Sequence, residues 1–234
     1  MLKKEYFLPT ITTTKPSDWQ GKIKEIDQLS IDKLAVFPTC FKEKQRLELY
    51  GLLEQTKLKQ IPFVHIRGDM SPKELDYLIK RWKAQVFNLH SPRQYPVLYN
   101  WDKYKKMIYI ENTLLCFNQA ELEEFAGICL DLSHLEQDKR TGSKRYNQAV
   151  ELIKKYPIGC NHISGIAKKP EIVSEKGITE ERYDAHYYRS LRQFDYLTKY
   201  PASYFAKFIA IELENPLEEQ LRAIEYILKL KIKN

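Results

Sequence analysis

The sequence has no apolar run of about 18 residues, which excludes a membrane-spanning helix. Met1 to Thr14 lacks the long apolar stretch and small-residue cleavage site of a secretory leader. A cytoplasmic protein is therefore expected, with no membrane partner. Cysteine is scarce: Cys40, Cys116, Cys129 and Cys160 are scattered with no C-x-x-C pair, which predicts buried free thiols rather than disulfides. Glycine is scarce too, at eight residues, and no Gly-rich phosphate loop follows a first strand, which argues against a dinucleotide fold. There is no internal repeat, no low-complexity tract and no Lys/Arg block. The formal net charge of +7 is spread along the chain. It permits an anionic partner, nucleic acid or a phosphorylated metabolite, without selecting one.

What is present is an alternation. Strand-like runs are read at 4–10, 33–39, 60–66, 84–90, 106–112, 128–133, 158–163 and 207–213. Amphipathic stretches separate most of them. Ser71-Pro72-Lys73-Glu74 is a helix start, with Ser as N-cap and Pro at the first helical position. Further helices are read over 42–57 (with Leu47, Tyr50, Leu52 and Leu53 on one side), over 119–126 after Asn118, over 143–156, and after Pro216. The stretch 91–105 predicts an irregular crossover and 165–183 a loop. Strands alternating with helices pair in parallel. Eight such units in 234 residues predict an α/β fold, a closed (β/α)₈ TIM barrel forming one domain over 1–234, with an open doubly wound sheet as the alternative.

The five histidines fall at or just past the ends of these runs: His65, His90, His134 and His162 after apolar segments, His186 on an apparent loop. Glu111 and Glu212 end two more runs, Asp131 lies three before His134, and Asp184 lies two before His186. In a barrel the strand C-termini carry the active site, so these side chains are expected to converge. Imidazole and carboxylate together are the ligands of zinc, manganese and iron. The nine candidate metal ligands are His65, His90, Glu111, Asp131, His134, His162, Asp184, His186 and Glu212. That number suits two or three Zn2+ ions, with Mn2+ or Fe2+ as alternatives. Taken singly, any of these histidines reads equally as a hydrogen-bonded core or loop residue, and either glutamate as half of an ion pair.

Ile110-Glu111-Asn112-Thr113, Asp131-Leu132-Ser133-His134, Asn161-His162, Asp184-Ala185-His186 and Glu212, with His65 and His90 in order before them, resemble the xylose isomerase-like barrel superfamily. Within it the chain is most similar to the endonuclease IV-type apurinic/apyrimidinic endonucleases, over about residues 33–215. The resemblance implies one zinc on His65, His90 and Glu111, a second on Glu111 (as bridge), Asp131, His162 and Glu212, and a third on His134, Asp184 and His186. It also implies Glu111 and Glu212 as catalytic residues and cleavage of a phosphoester, with abasic DNA among the substrates. Arg67 is a candidate phosphate contact, or else one half of a rim ion pair. Tyr95, Tyr99, Trp101, Tyr187 and Tyr188 are candidates to stack on a base or sugar, or to pack the rim.

The chain departs from that pattern after His65, where Ile-Arg-Gly-Asp-Met carries no aromatic wedge, and after His186, where Tyr-Tyr-Arg-Ser-Leu replaces a Gly-Glu-Gly stretch. Short strand-to-helix loops are expected. The alternative function is a sugar or sugar-phosphate isomerase or epimerase with a single metal on Glu111, Asp131, His162 and Glu212, acting on a small phosphorylated sugar. A third reading is a non-catalytic binding protein on the same fold.

Overall fold

The computed structural model describes residues 2–113, 115–175 and 178–233. Eight parallel strands close a barrel: β1 (Phe7–Thr12), β2 (Lys33–Phe37), β3 (Gln60–His65), β4 (Val86–Leu89), β5 (Ile108–Glu111), β6 (Ile128–Asp131), β7 (Ile158–Ile163) and β10 (Ile209–Ile211). Their order around the barrel is β1-β10-β7-β6-β5-β4-β3-β2. Two further strands, β8 (Gly165–Glu175) and β9 (Ile178–Ala185), form an antiparallel hairpin outside it. The helices are α1 (Trp19–Gln28), α2 (Glu43–Glu54), α3 (Pro72–Trp82), α4 (Gln119–Glu124), α5 (Leu132–Arg140), α6 (Lys144–Ile153) and α7 (Leu217–Leu228). No helix among the described residues is long and apolar enough to cross a membrane.

The alternation of side chains along a strand decides where the chemistry sits. Leu8, Ala35, Phe37, Phe63, Val86, Cys129, Cys160 and Ala210 pack as one buried cluster, with Tyr109 and Phe208 against it. Two residues beyond Phe63, Val86, Tyr109, Cys129, Cys160 and Ala210 come His65, Asn88, Glu111, Asp131, His162 and Glu212. The inward column thus changes from apolar to ligand-type at the C-terminal end. The residues of opposite parity, such as Val64, Phe87, Ile110, Leu130 and Ile211, join the larger core that packs the helices onto the barrel.

Several sequence expectations need correction. Residues 165–183 are the hairpin, not a loop. Its polar sequence hides it, because a two-stranded ribbon beside the barrel needs no apolar alternation, and its register shifts between Ile166 and Glu171, around Pro170. Helices α1 and α5 are additions to the helices that the pattern predicts. α5 buries Ser133, Glu136, Gln137 and Asp138 beside only two apolar residues, Leu132 and Leu135, so its apolar stripe is too short to read. The buried face of α2 is Arg46, Leu49, Tyr50 and Leu53, whereas Leu47 is exposed. β1 begins at Phe7 rather than at residue 4, after a short 3-10 turn over Lys4–Tyr6. Cys129 and Cys160 are buried thiols, Cys116 is half-buried and Cys40 is exposed; all four are free.

Barrel closure falls between β1 and β10, and polar side chains stitch this seam. Gln220 of α7, fully buried, accepts from Thr10 N at 2.6 Å and donates to the carbonyls of Thr10, Leu213 and Asn215. Lys22 of α1 donates from Nζ to Leu213 O at 2.6 Å and to Thr12 Oγ1 at 3.1 Å, which holds the backbone just past Glu212. Burial pulls its ammonium down from 10.5 to about 7, against the opposing pull of Glu214. Between those two values the unfolded chain binds the proton more tightly, so this group makes stability rise with pH. In urea unfolding, the stability difference between wild type and Lys22→Met is expected to grow from pH 7 to pH 9, by up to about 1.4 kcal/mol per pH unit. A flat difference would mean that Lys22 keeps its ordinary protonation.

Candidate metal centre

The structure brings all nine candidate side chains to the barrel mouth. Three sets have ligand atoms within 4.8 Å of one another: His65, Glu111 and His162; Glu111, Asp131, His162 and Glu212; and His134, Asp184 and His186. His90 stands beside the first set, with Nε2 3.6 Å from Glu111 Oε2 and its ring edge-on to His65 at 4.5 Å. His162, rather than the His90 that the resemblance implied, completes that set.

Glu111 lies between the sets. Its Oε2 faces His65 Nδ1 at 3.7 Å and His90 Nε2; its Oε1 faces His162 Nδ1 at 3.5 Å and His134 Nδ1 at 3.8 Å. Asn88 Nδ2 donates to Oε2 at 2.6 Å and fixes the carboxylate. Sequence reading missed Asn88, although strand alternation places it on the same face as His90.

Asp131 ends β6 and caps α5. Its Oδ1 accepts from Ser133 N at 2.7 Å and His134 N at 2.9 Å, leaving Oδ2 for the cluster. Asn112 clamps the same backbone, accepting from Asp131 N at 2.7 Å and donating to Asp131 O at 2.9 Å. His134 therefore sits in the first turn of a helix. Its Nδ1 lies 2.8 Å from Asn112 O. A carbonyl only accepts, so Nδ1 carries the hydrogen and Nε2 is turned toward Asp184 Oδ2 at 3.5 Å. On the other side His186 Nε2 is 3.0 Å from Asp184 Oδ2. Glu212 Oε2 lies 3.0 Å from His162 Nδ1, and Oε1 lies 3.8 Å from His186 Nδ1.

The donor set fits metal. Buried polar atoms ordinarily find hydrogen bonds. Here His65 Nδ1, Asp131 Oδ2, both ring nitrogens of His162 and His186 Nδ1 are buried without one. Four carboxylates and five imidazoles are crowded where burial penalises every charge. Burial, then His90, pushes His65 down to about 3. Burial would lower His186, but Asp184 and Glu212 outweigh it and lift the ring to about 10. Burial would raise Glu212, but His162 and His186 hold it down to about 2. Protons on imidazole thus balance the carboxylates in the metal-free chain, and cations take that place when ligands deprotonate.

Above the ligands opens a cavity of about 850 Å³. Its walls include Tyr95 and Tyr187, and Glu171, Val173 and Arg182 of the hairpin. The connections around the mouth are not uniformly short, since this hairpin alone spans residues 165 to 185. It is pinned to α5: Gln137 donates to Glu181 O and accepts from Tyr183 N at 2.6 Å, and Arg140 donates to Ala167 O at 2.9 Å. Arg67 is engaged in a rim ion pair with Asp69 at 2.9 Å and donates to Thr39 O, which is the ion-pair alternative of the sequence reading. Trp101 and Tyr188 are buried in the core, and Tyr99 is exposed. Of the aromatic candidates, Tyr95 and Tyr187 line the cavity.

No protein-family model matches the chain, and no curated protein matches it. Among solved structures it is similar to a xylose isomerase-like TIM barrel protein from Mycobacterium smegmatis, crystallised in complex with magnesium. The identity is 9%, the TM-score is 0.42, and the match covers 97% of this chain and 98% of that one. The barrel described above rests on its own strand order.

Zinc at about 100 times its Kd is expected to stabilise the folded chain by about 2.7 kcal/mol, read as a chelator-reversible rise in the thermal midpoint. Glu111→Ala is expected to remove most of that rise. A midpoint indifferent to zinc in the wild type would speak against a metal centre.

Proposed function

We propose that the chain is a metal-dependent phosphoester hydrolase. The observation that carries this reading is the position of Glu111, whose two oxygens face opposite halves of a buried donor set too large for one ion. His65, His90 and Glu111, with His162 close by, would hold one ion; Glu111, Asp131, His162 and Glu212 a second; His134, Asp184 and His186 a third. Bound ions would supply Lewis acidity toward phosphoryl oxygens and make water acidic enough to ionise near neutral pH.

The side chains do the rest. Glu111, fixed by Asn88, holds the two halves in register. Glu212, whose oxygens lie 3.0 Å from His162 Nδ1 and 3.8 Å from His186 Nδ1, stands beside two of the ligand sets and can accept a hydrogen from water and orient it. The hairpin wall and a cavity of about 850 Å³ suit a small phosphate ester, such as a phosphorylated sugar, better than a duplex bearing an abasic site. A second reading is supported by the tight quartet of Glu111, Asp131, His162 and Glu212, which can serve one metal in a sugar isomerase or epimerase.

Zinc-loaded protein is expected to hydrolyse small phosphate esters in a chelator-sensitive way, faster than it incises an abasic duplex oligonucleotide. Glu111→Gln and Glu212→Gln are each expected to lower turnover by at least about 100-fold. Unchanged turnover in both variants rejects the hydrolase, and one tightly bound metal per chain, with isomerisation of a sugar phosphate, establishes the second reading.

A further inference from the structure

Between the second and third ligand sets runs a chain of four buried oxygens: Asp131 Oδ1, Ser133 Oγ, Ser164 Oγ and Asp184 Oδ1. Ser133 Oγ donates to Asp131 Oδ1, Ser164 Oγ meets Ser133 Oγ at 2.8 Å, and Ser164 Oγ also reaches Asp184 Oδ1. Both serines are fully buried. Ser133 is fixed by the first turn of α5, and the Ser164 carbonyl accepts from Tyr196 Oη at 3.1 Å.

The hydrogens do not suffice for the contacts. Three oxygen–oxygen contacts share two hydroxyl hydrogens, and ionised carboxylates contribute none. The hydroxyls can turn outward to both aspartates, leaving the contact between the serines without a hydrogen. Alternatively they can turn the same way and leave one aspartate contact without one. The two ends are unequal: Asp131 Oδ1 keeps two backbone donors in either case, whereas Ser164 is the hydroxyl donor at Asp184 Oδ1. Both aspartates present their other oxygen, Oδ2, to imidazoles of the ligand sets.

We propose that Ser133 and Ser164 are positioning residues that couple the two aspartate-bearing ion positions, so that these positions fill cooperatively. The inference rests on the metal reading given under Proposed function. A cation at Asp131 Oδ2 neutralises that carboxylate and weakens its hold on the Ser133 hydrogen. Ser133 then turns toward Ser164, and Ser164 donates fully to Asp184. A carboxylate anchored by a donor at one oxygen is the better ligand at the other.

The test is zinc titration of chelator-stripped protein by calorimetry, with bound zinc counted by elemental analysis. In the wild type the two positions are expected to fill in one cooperative step. Ser164→Ala is expected to weaken the position at Asp184 by about 10–100-fold and leave the position at His65 and Glu111 unchanged. Ser133→Ala, which keeps the donor at Asp184, is expected to bind the same amount of zinc in separate steps. Ser164→Thr retains the hydroxyl and is expected to restore wild-type binding, an outcome that a mere packing role would not produce. Wild-type titration curves in both alanine variants overturn the coupling and leave the metal reading intact. Failure of the wild type to bind zinc overturns both.

Discussion

The mouth of this barrel is governed by charge neutrality. Four carboxylates and five imidazoles are held there by barrel strand ends, the first turn of α5 and the end of the hairpin, and burial makes each uncompensated charge expensive. Much of the nearby architecture serves that crowding. Asn88 immobilises Glu111, Asn112 clamps the Asp131 backbone, and Asp131 spends one oxygen on a helix terminus. Without cations the cluster balances itself by loading protons onto His134, His162 and His186 while Glu111, Asp184 and Glu212 stay ionised. A protein built only for stability would have little use for such an arrangement, since apolar residues of similar volume fill a barrel mouth at lower cost.

The seam between β1 and β10 shows how the scaffold protects this mouth. β10 is three residues long, and its last ligand, Glu212, lies just past it. Backbone pairing alone gives that end little support. Gln220 and Lys22, both buried and both bonded to Leu213 O, supply it from the helix layer. Position in the site is therefore set partly from outside the barrel.

Periodicity was the legible part of the sequence. The eight barrel strands and the convergence of His65, Glu111, Asp131 and His162 could be read because buried parallel strands leave short apolar runs between helical stretches, and the ligand-type residues stand at the ends of those runs. The hairpin could not, because consecutive residues of its outer part, such as Lys168, Lys169, Glu171 and Ile172, are exposed and leave no buried face to alternate. α5 escaped for another reason: most of its buried side chains are polar, carrying Gln137 to the hairpin and Glu136 to Lys199 and Tyr200. Asn88, Ser133 and Ser164 escaped because an amide or hydroxyl announces nothing by type. Only a carboxylate within hydrogen-bonding distance gives each of them a role.

The double duty of Asp131 has a kinetic side. One of its oxygens closes the first turn of α5 and the other faces the cluster, so an ion held there shares its fate with the end of a helix. Helix ends fray much faster than whole domains unfold. Loss of that turn would loosen Asp131 and His134 together, because both belong to it. The residence time of such an ion would then be set by the local opening of a nine-residue helix rather than by the global stability of the barrel.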